Sequence, residues 1–207
     1  MQDGSLFIAG FSDNTLRNDF DVTLTKLNEY GYALWTKYYG DTLSEFGFNL
    51  IISNDGNLIV CGEMYSLNNG TDAFMMKLDT AGNMLWNKIY STPLNESVKS
   101  VIQTADGGFA LCGFQNNPSF SNDAYVIKTD EQGNLIWDRT YDNGNNDVAD
   151  RIIEPDDNEF LLVIDMKQRG REDYDIQLMK LDSFGLPIWE RIYGDSATDG
   201  CQGILTV

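Results

Sequence analysis

Trp35, Trp86, Trp137 and Trp189 are the only tryptophans of the chain, and they stand 51, 51 and 52 residues apart. Other residues keep the same step. A glycine lies four before each Trp (Gly31, Gly82, Gly133, Gly185) and a tyrosine four after (Tyr39, Tyr90, Tyr141, Tyr193). A cation follows two after (Lys37, Lys88, Arg139, Arg191), a lysine precedes by nine (Lys26, Lys77, Lys128, Lys180) and an aspartate by fourteen (Asp21, Asp72, Asp123, Asp175). Six registers held in four copies define an internal repeat. Each repeat is then one supersecondary unit that buries its apolar surface only by packing on its neighbours.

The third copy shows what the unit is. Val98 to Thr104 is a first strand-like run, followed by Asp106-Gly107, and Phe109 to Phe114 is a second. Asp123 to Thr129 is a third, and Leu135 to Tyr141 a fourth, entered through Glu131-Gln132-Gly133-Asn134. The runs are short, rich in β-branched and aromatic residues, and bounded by Gly, Asn and Asp. The second runs read LFIAG, LIVCG, FALCG and FLLVI. They are apolar on both faces, as in a strand covered on two sides. In the fourth run Trp137, Arg139 and Tyr141 share a face by strand alternation. A cation between two rings lays its stem on them and keeps its charge outward. That face is expected to meet an equivalent unit in every copy. Antiparallel four-stranded units of this length, packed face to face, describe an all-β fold, a β-propeller.

Charge and composition narrow the chemistry. With 14 Lys and Arg against 32 Asp and Glu, the net charge is −18, which counts against nucleic acid as a partner. No apolar run approaches the roughly 20 residues of a membrane-spanning helix. The chain has no His, so no Ser–His–Asp or Cys–His catalytic arrangement can be built from it. Carboxylate-pair hydrolysis stays open, although no pair stands out.

A further invariant is an acid six after each Tyr: Glu45, Glu96, Asp147 and Asp199. Placed before the first strand, these four would form a carboxylate ring that attracts Ca²⁺. The plainer alternative is that each acid caps its own loop by accepting backbone N–H groups. Loops that differ between copies are the other place for a ligand. The loop 167–174 holds Arg169 and Arg171, which suit an anionic ligand. Cys61 and Cys112 occupy equivalent positions filled elsewhere by Ala9 and Val163, which is the pattern of a small apolar core site. The pattern leaves a Cys61–Cys112 bridge open.

The segment Leu78-Asp79-Thr80-Ala81-Gly82-Asn83-Met84-Leu85-Trp86 resembles the tryptophan-docking motif of quinoprotein-type propeller blades, with Asp seven and Gly four before Trp. Asp130, Gly133 and Trp137 match it, as do Asp182, Gly185 and Trp189, while the first copy has Asn28 for Asp. The whole unit is similar to bacterial β-propeller repeats of Bacteroidetes-type surface and secreted proteins. The resemblance implies export, to the cell surface, periplasm or beyond; Met1-Gln2-Asp3 enters the repeat directly, so any targeting segment is expected to have been cut off or never to have existed. It implies no activity.

The strand phase divides the chain into repeats of approximately 3–54, 55–105, 106–156 and 157–207, within one propeller domain or propeller half. Its first strand is a second strand of a unit, and 203–207 reads as a first strand. The ends are therefore expected to be complementary. They suit a four-bladed ring, half of an eight-bladed ring completed by strand exchange between two chains, or part of a longer propeller. The expected role is a non-catalytic module for binding a protein, glycan or cation, or for scaffolding, with no required cofactor. The alternatives are an enzyme whose site lies in unit-specific loops, and a purely structural repeat.

Overall fold

The computed structural model describes residues 4–67, 70–119, 121–156, 158–167, 173–201 and 203–205. Among the described residues there are fifteen strands and no helix. Sheet 1 has three strands: β1 (Leu6–Asn14), β2 (Asp19–Leu27) and β3 (Ala33–Tyr39). Sheet 2 has four: β4 (Glu45–Ile52), β5 (Leu58–Ser66), β6 (Gly70–Leu78) and β7 (Met84–Tyr90). Sheet 3 has β8 (Glu96–Gln103), β9 (Phe109–Asn116), β10 (Asn122–Thr129) and β11 (Leu135–Tyr141). Sheet 4 has β12 (Asp147–Asp156), β13 (Glu159–Lys167), β14 (Tyr174–Leu181) and β15 (Pro187–Tyr193). Each sheet is an antiparallel meander in chain order, consistent with a propeller-like arrangement of the units.

Turn chemistry explains where the strands stop. Gly56 and Gly107 take φ of 80° and 86° between first and second strands, a region open to glycine at little steric cost. In sheet 4 Asn158 stands in that place at φ 60°, which the short polar side chain of Asn tolerates. Before the outer strand, Asp79 accepts the N–H groups of Ala81 and Asn83 at 2.9 and 2.8 Å. Asp130 and Asp182 hold their turns in the same way. Asn28 does so with one amide oxygen, accepting from Tyr30 and Tyr32 at 3.0 Å, so the turn keeps both N–H contacts.

The sheets pack face to face in sequence. One core joins sheets 1 and 2 through Val22, Leu24, Leu58, Val60 and Phe74. The next joins sheets 2 and 3 through Ile59, Cys61, Met75, Phe109 and Tyr125. The third joins sheets 3 and 4 through Cys112, Val126, Phe160, Leu162 and Ile164. Strand β5 thus buries alternate residues against opposite neighbours, as its unbroken apolar run requires. Each such side chain contributes about 1.5–3 kcal/mol on leaving water.

The tryptophan face makes the joint between sheets. Tyr39, Tyr90 and Tyr141 donate their hydroxyls to the carbonyls of Gly82, Gly133 and Gly185 at 2.8, 2.9 and 2.8 Å. A Cβ added at Gly82, Gly133 or Gly185 would come within 2.9, 3.1 or 2.8 Å of the Trp35, Trp86 or Trp137 ring. The cation between the rings reaches the same turn: Lys88 donates to Asn134 Oδ1 at 2.9 Å and Arg139 to the Phe184 carbonyl at 2.6 Å. The fourth copy departs from expectation. Tyr193 is 53% exposed where Tyr90 and Tyr141 are 7% and 8% exposed, and Trp189 beside it is exposed too. No following sheet covers that face among the described residues, and residues 203–205 form no strand.

Candidate functional site

The invariant acids cap loops. Glu45 accepts the N–H of Asp41, Glu96 that of Thr92, Asp147 that of Asn143 and Asp199 that of Asp195, each four residues back. This is the plainer of the two sequence readings. Three of these loops also set their acid against an aspartate of the preceding sheet. Glu45 faces Asp21, Glu96 faces Asp72 and Asp147 faces Asp123. Burial pushes Glu45 up to about 7 and Asp147 up to about 6, and these facing carboxylates add to the effect. One oxygen each of Glu45, Asp72 and Asp147 is buried with no hydrogen-bond partner. Among the described residues no three His, Cys, Asp or Glu side chains gather closely enough to hold a metal ion.

The repeated lysines are engaged as well. Lys77 bonds Asp55 at 2.7 Å and Lys128 bonds Asp106 at 2.8 Å, each tying a third strand to the turn between the first two. The Lys77 ammonium, helped by the Ser53 hydroxyl, holds the Asp55 carboxyl well below the usual carboxylate range. Cys61 and Cys112 are free, buried thiols, so the bridge left open by the sequence is not formed. Burial raises both thiols, and Cys112 Sγ donates to the Ala149 carbonyl at 3.3 Å. Arg169 and Arg171 lie outside the described residues.

Unit-specific chemistry sits at one backbone feature. In each four-stranded sheet the first two strands lose register by one residue, between Gly47 and Asn49, Val98 and Ser100, and Ala149 and Arg151. A bulge of this kind re-aims a side chain without changing the fold. The bulged residues are Phe48, Lys99 and Asp150. The geometry repeats while the chemistry changes, from ring to cation to acid. Lys99 Nζ reaches Asp150 Oδ1 of the next sheet at 3.0 Å. Burial lifts the Asp165 carboxyl on β13 to about 6, and the neighbouring Asp150 carboxylate adds to the effect. The Cys201 N–H donates to Asp165 at 3.4 Å and pulls the other way. A carboxyl raised to about 6 can give or take a proton near neutral pH. Sequence reasoning missed this cluster. Its signal was present, because Lys99 aligns with Phe48 and Asp150, and Asp165 with Phe11, Glu63 and Phe114. Registers that hold the backbone and vary the side chain mark it.

A cavity of about 220 Å³ opens beside Glu45, between sheets 1 and 2, walled by Tyr39, Met64, Phe74, Met76 and Met84. Its methionine wall is adaptable, while Asp41, Glu45 and Asn87 give it a polar side. The turn between β1 and β2 forms another recess in which Arg17 bonds Asp19 at 2.9 Å and also pairs with Asp21. That arginine is committed to its own loop.

A comparison with models of known protein families finds no match, and a search among curated proteins finds none either.

Proposed function

We propose that the four sheets are blades of a β-propeller and that the chain is a non-catalytic module for binding or scaffolding within an exported bacterial protein. The observation that carries this reading is the joint made three times by Trp, Tyr and Gly, which stacks like units in constant order. In a propeller the first strands of successive blades lie innermost, so Phe48, Lys99 and Asp150 would line one path about the axis. A ligand there would meet a ring, a cation and an acid in series, a pattern suited to a zwitterionic or amide-rich segment of a peptide or glycan. No cofactor enters the reading.

The test is a thermal-shift and product assay on the same samples, with a panel of soluble glycans and short peptides. The expected outcome is a stabilising hit that Lys99→Ala and Asp150→Ala abolish, with no product formed. The second reading is a carboxylate-based hydrolase or lyase, favoured by the raised Asp165 carboxyl beside Asp150. Sustained turnover that Asp165→Asn removes would replace the first reading with the second.

A further inference from the structure

We propose that the exposed Trp189 face of β15 and the open Gly31 turn of sheet 1 dock on each other between two copies of this chain, reciprocally. The inference rests on the propeller reading above. Within the chain, each tryptophan face is filled by the glycine turn of the next sheet, and each glycine turn by the face before it. This pairing uses Trp35, Trp86 and Trp137 with Gly82, Gly133 and Gly185. One face and one turn are left over among the described residues. A Cβ placed on Gly31 would find nothing within 4 Å, although Gly31 holds φ +81° like the docked glycines. Asn28 keeps the Gly31 turn in the shape of the docked ones. The turn is thus formed, with the shape its docked counterparts have, and no ring lies on it.

The matching face is also formed. Trp189, Arg191 and Tyr193 follow the strand register of Trp137, Arg139 and Tyr141. Arg139 donates to the carbonyl before its glycine, at Phe184. The equivalent acceptor for Arg191 is the Tyr30 carbonyl, and the Gly31 carbonyl is the equivalent acceptor for the Tyr193 hydroxyl. The apolar side chains around the turn agree. Leu6 and Ile8 of β1 are 53% and 56% exposed, whereas Leu58 and Val60, at the same register of β5, are fully buried beneath sheet 1. A sheet 4 laid on sheet 1 would cover Leu6 and Ile8 as sheet 1 covers Leu58 and Val60. Within one chain the two surfaces do not meet. Two identical chains each carry one such face and one such turn, so two copies can form both joints reciprocally.

Light scattering behind a sizing column tests this at micromolar concentration. The expected mass is twice the 23.3 kDa of one chain. Trp189→Ala and, separately, Ile8→Lys should each return the single-chain mass with unchanged far-UV circular dichroism, since both side chains are exposed within one chain. Each should weaken the pair by at least roughly tenfold in Kd. Trp86→Ala, at an internal joint, should lower stability and leave the pair intact. A single-chain mass for the unaltered protein would overturn the proposal. So would a pair that survives both surface variants, or a ladder of masses that grows with concentration. Small-angle X-ray scattering separates this failure from that of the propeller reading. A single-chain mass with the profile of sheets turned about one axis removes only the pairing. The profile of a straight stack removes both.

Discussion

At the scale of the residue, glycine and tyrosine make the joint together. Gly133 has φ 75° and admits the Trp86 ring at a distance no Cβ would allow without movement. Its carbonyl then receives the buried Tyr90 hydroxyl at 2.9 Å. Gly133→Ala incurs backbone strain and a steric shift together, and is expected to cost about 3 kcal/mol. Tyr90→Phe keeps the ring and loses one hydrogen bond, at a cost of about 1 kcal/mol. Urea unfolding followed by tryptophan fluorescence measures both. Equal costs would show that the ring contact is unimportant. Asn158 makes the complementary point, since it holds positive φ where the other units use glycine.

At the scale of the element, the same lysine register does different amounts of work in different sheets. Lys128 is 3% exposed, bonds Asp106 and donates to the Thr129 carbonyl at 3.0 Å. Lys128→Ala leaves a buried carbonyl and a carboxylate without their donor, and is expected to cost about 2–3 kcal/mol. Lys180 sits at the same register of sheet 4 and shares Asp156 and Glu159 in the open. Lys180→Ala is expected to fall within error of the unaltered chain. Chemical denaturation of the two variants checks the contrast, and equal effects would mean that burial does not set the strength of these pairs. The bulge on the first strand belongs to this scale as well. It occurs in each four-stranded sheet and aims three unlike side chains, Phe48, Lys99 and Asp150, from one backbone geometry.

At the scale of the whole molecule, acidity dominates. The net charge of −18 opposes compaction at neutral pH. Burial adds to that through particular groups. Glu45 titrates near 4.5 when unfolded and about 7 when folded, and Asp165 near 3.8 and about 6. Between those values the folded chain holds the proton more tightly. The stability these groups contribute is present below the unfolded value and is lost as pH rises through the folded one. Asp55, Asp79 and Asp130 act oppositely, because their folded values are lowered and their contribution fails in stronger acid. The thermal midpoint is therefore expected to rise from about pH 8 to about pH 5 and to fall below about pH 4. Glu45→Gln should flatten the rise, because the amide keeps the acceptor for the Asp41 N–H and carries no charge. Calorimetry across that range measures it, and a midpoint independent of pH in both proteins would refute the assignment.

The repeat, its strands and its turns were legible in the sequence because they follow from local rules. Phe109 to Phe114 and Leu135 to Tyr141 could be marked as strands from alternation and bounding residues alone, and β9 and β11 run through those segments. The capping role of Glu45, Glu96, Asp147 and Asp199 was one of two local readings. That each carboxylate reaches an N–H four residues back is seen only in the folded loops. Tertiary structure alone decided the rest. Bulges at Phe48, Lys99 and Asp150 arise from register between strands, which no single run encodes. The Lys99–Asp150–Asp165 cluster joins three strands of two sheets, so its members share no spacing. Equal sequence at Trp35 and Trp189 also gave unequal surroundings, with Trp35 packed on Gly82 and Trp189 open. Periodicity determines what a unit can bind, and only the packing of units decides which face is left over.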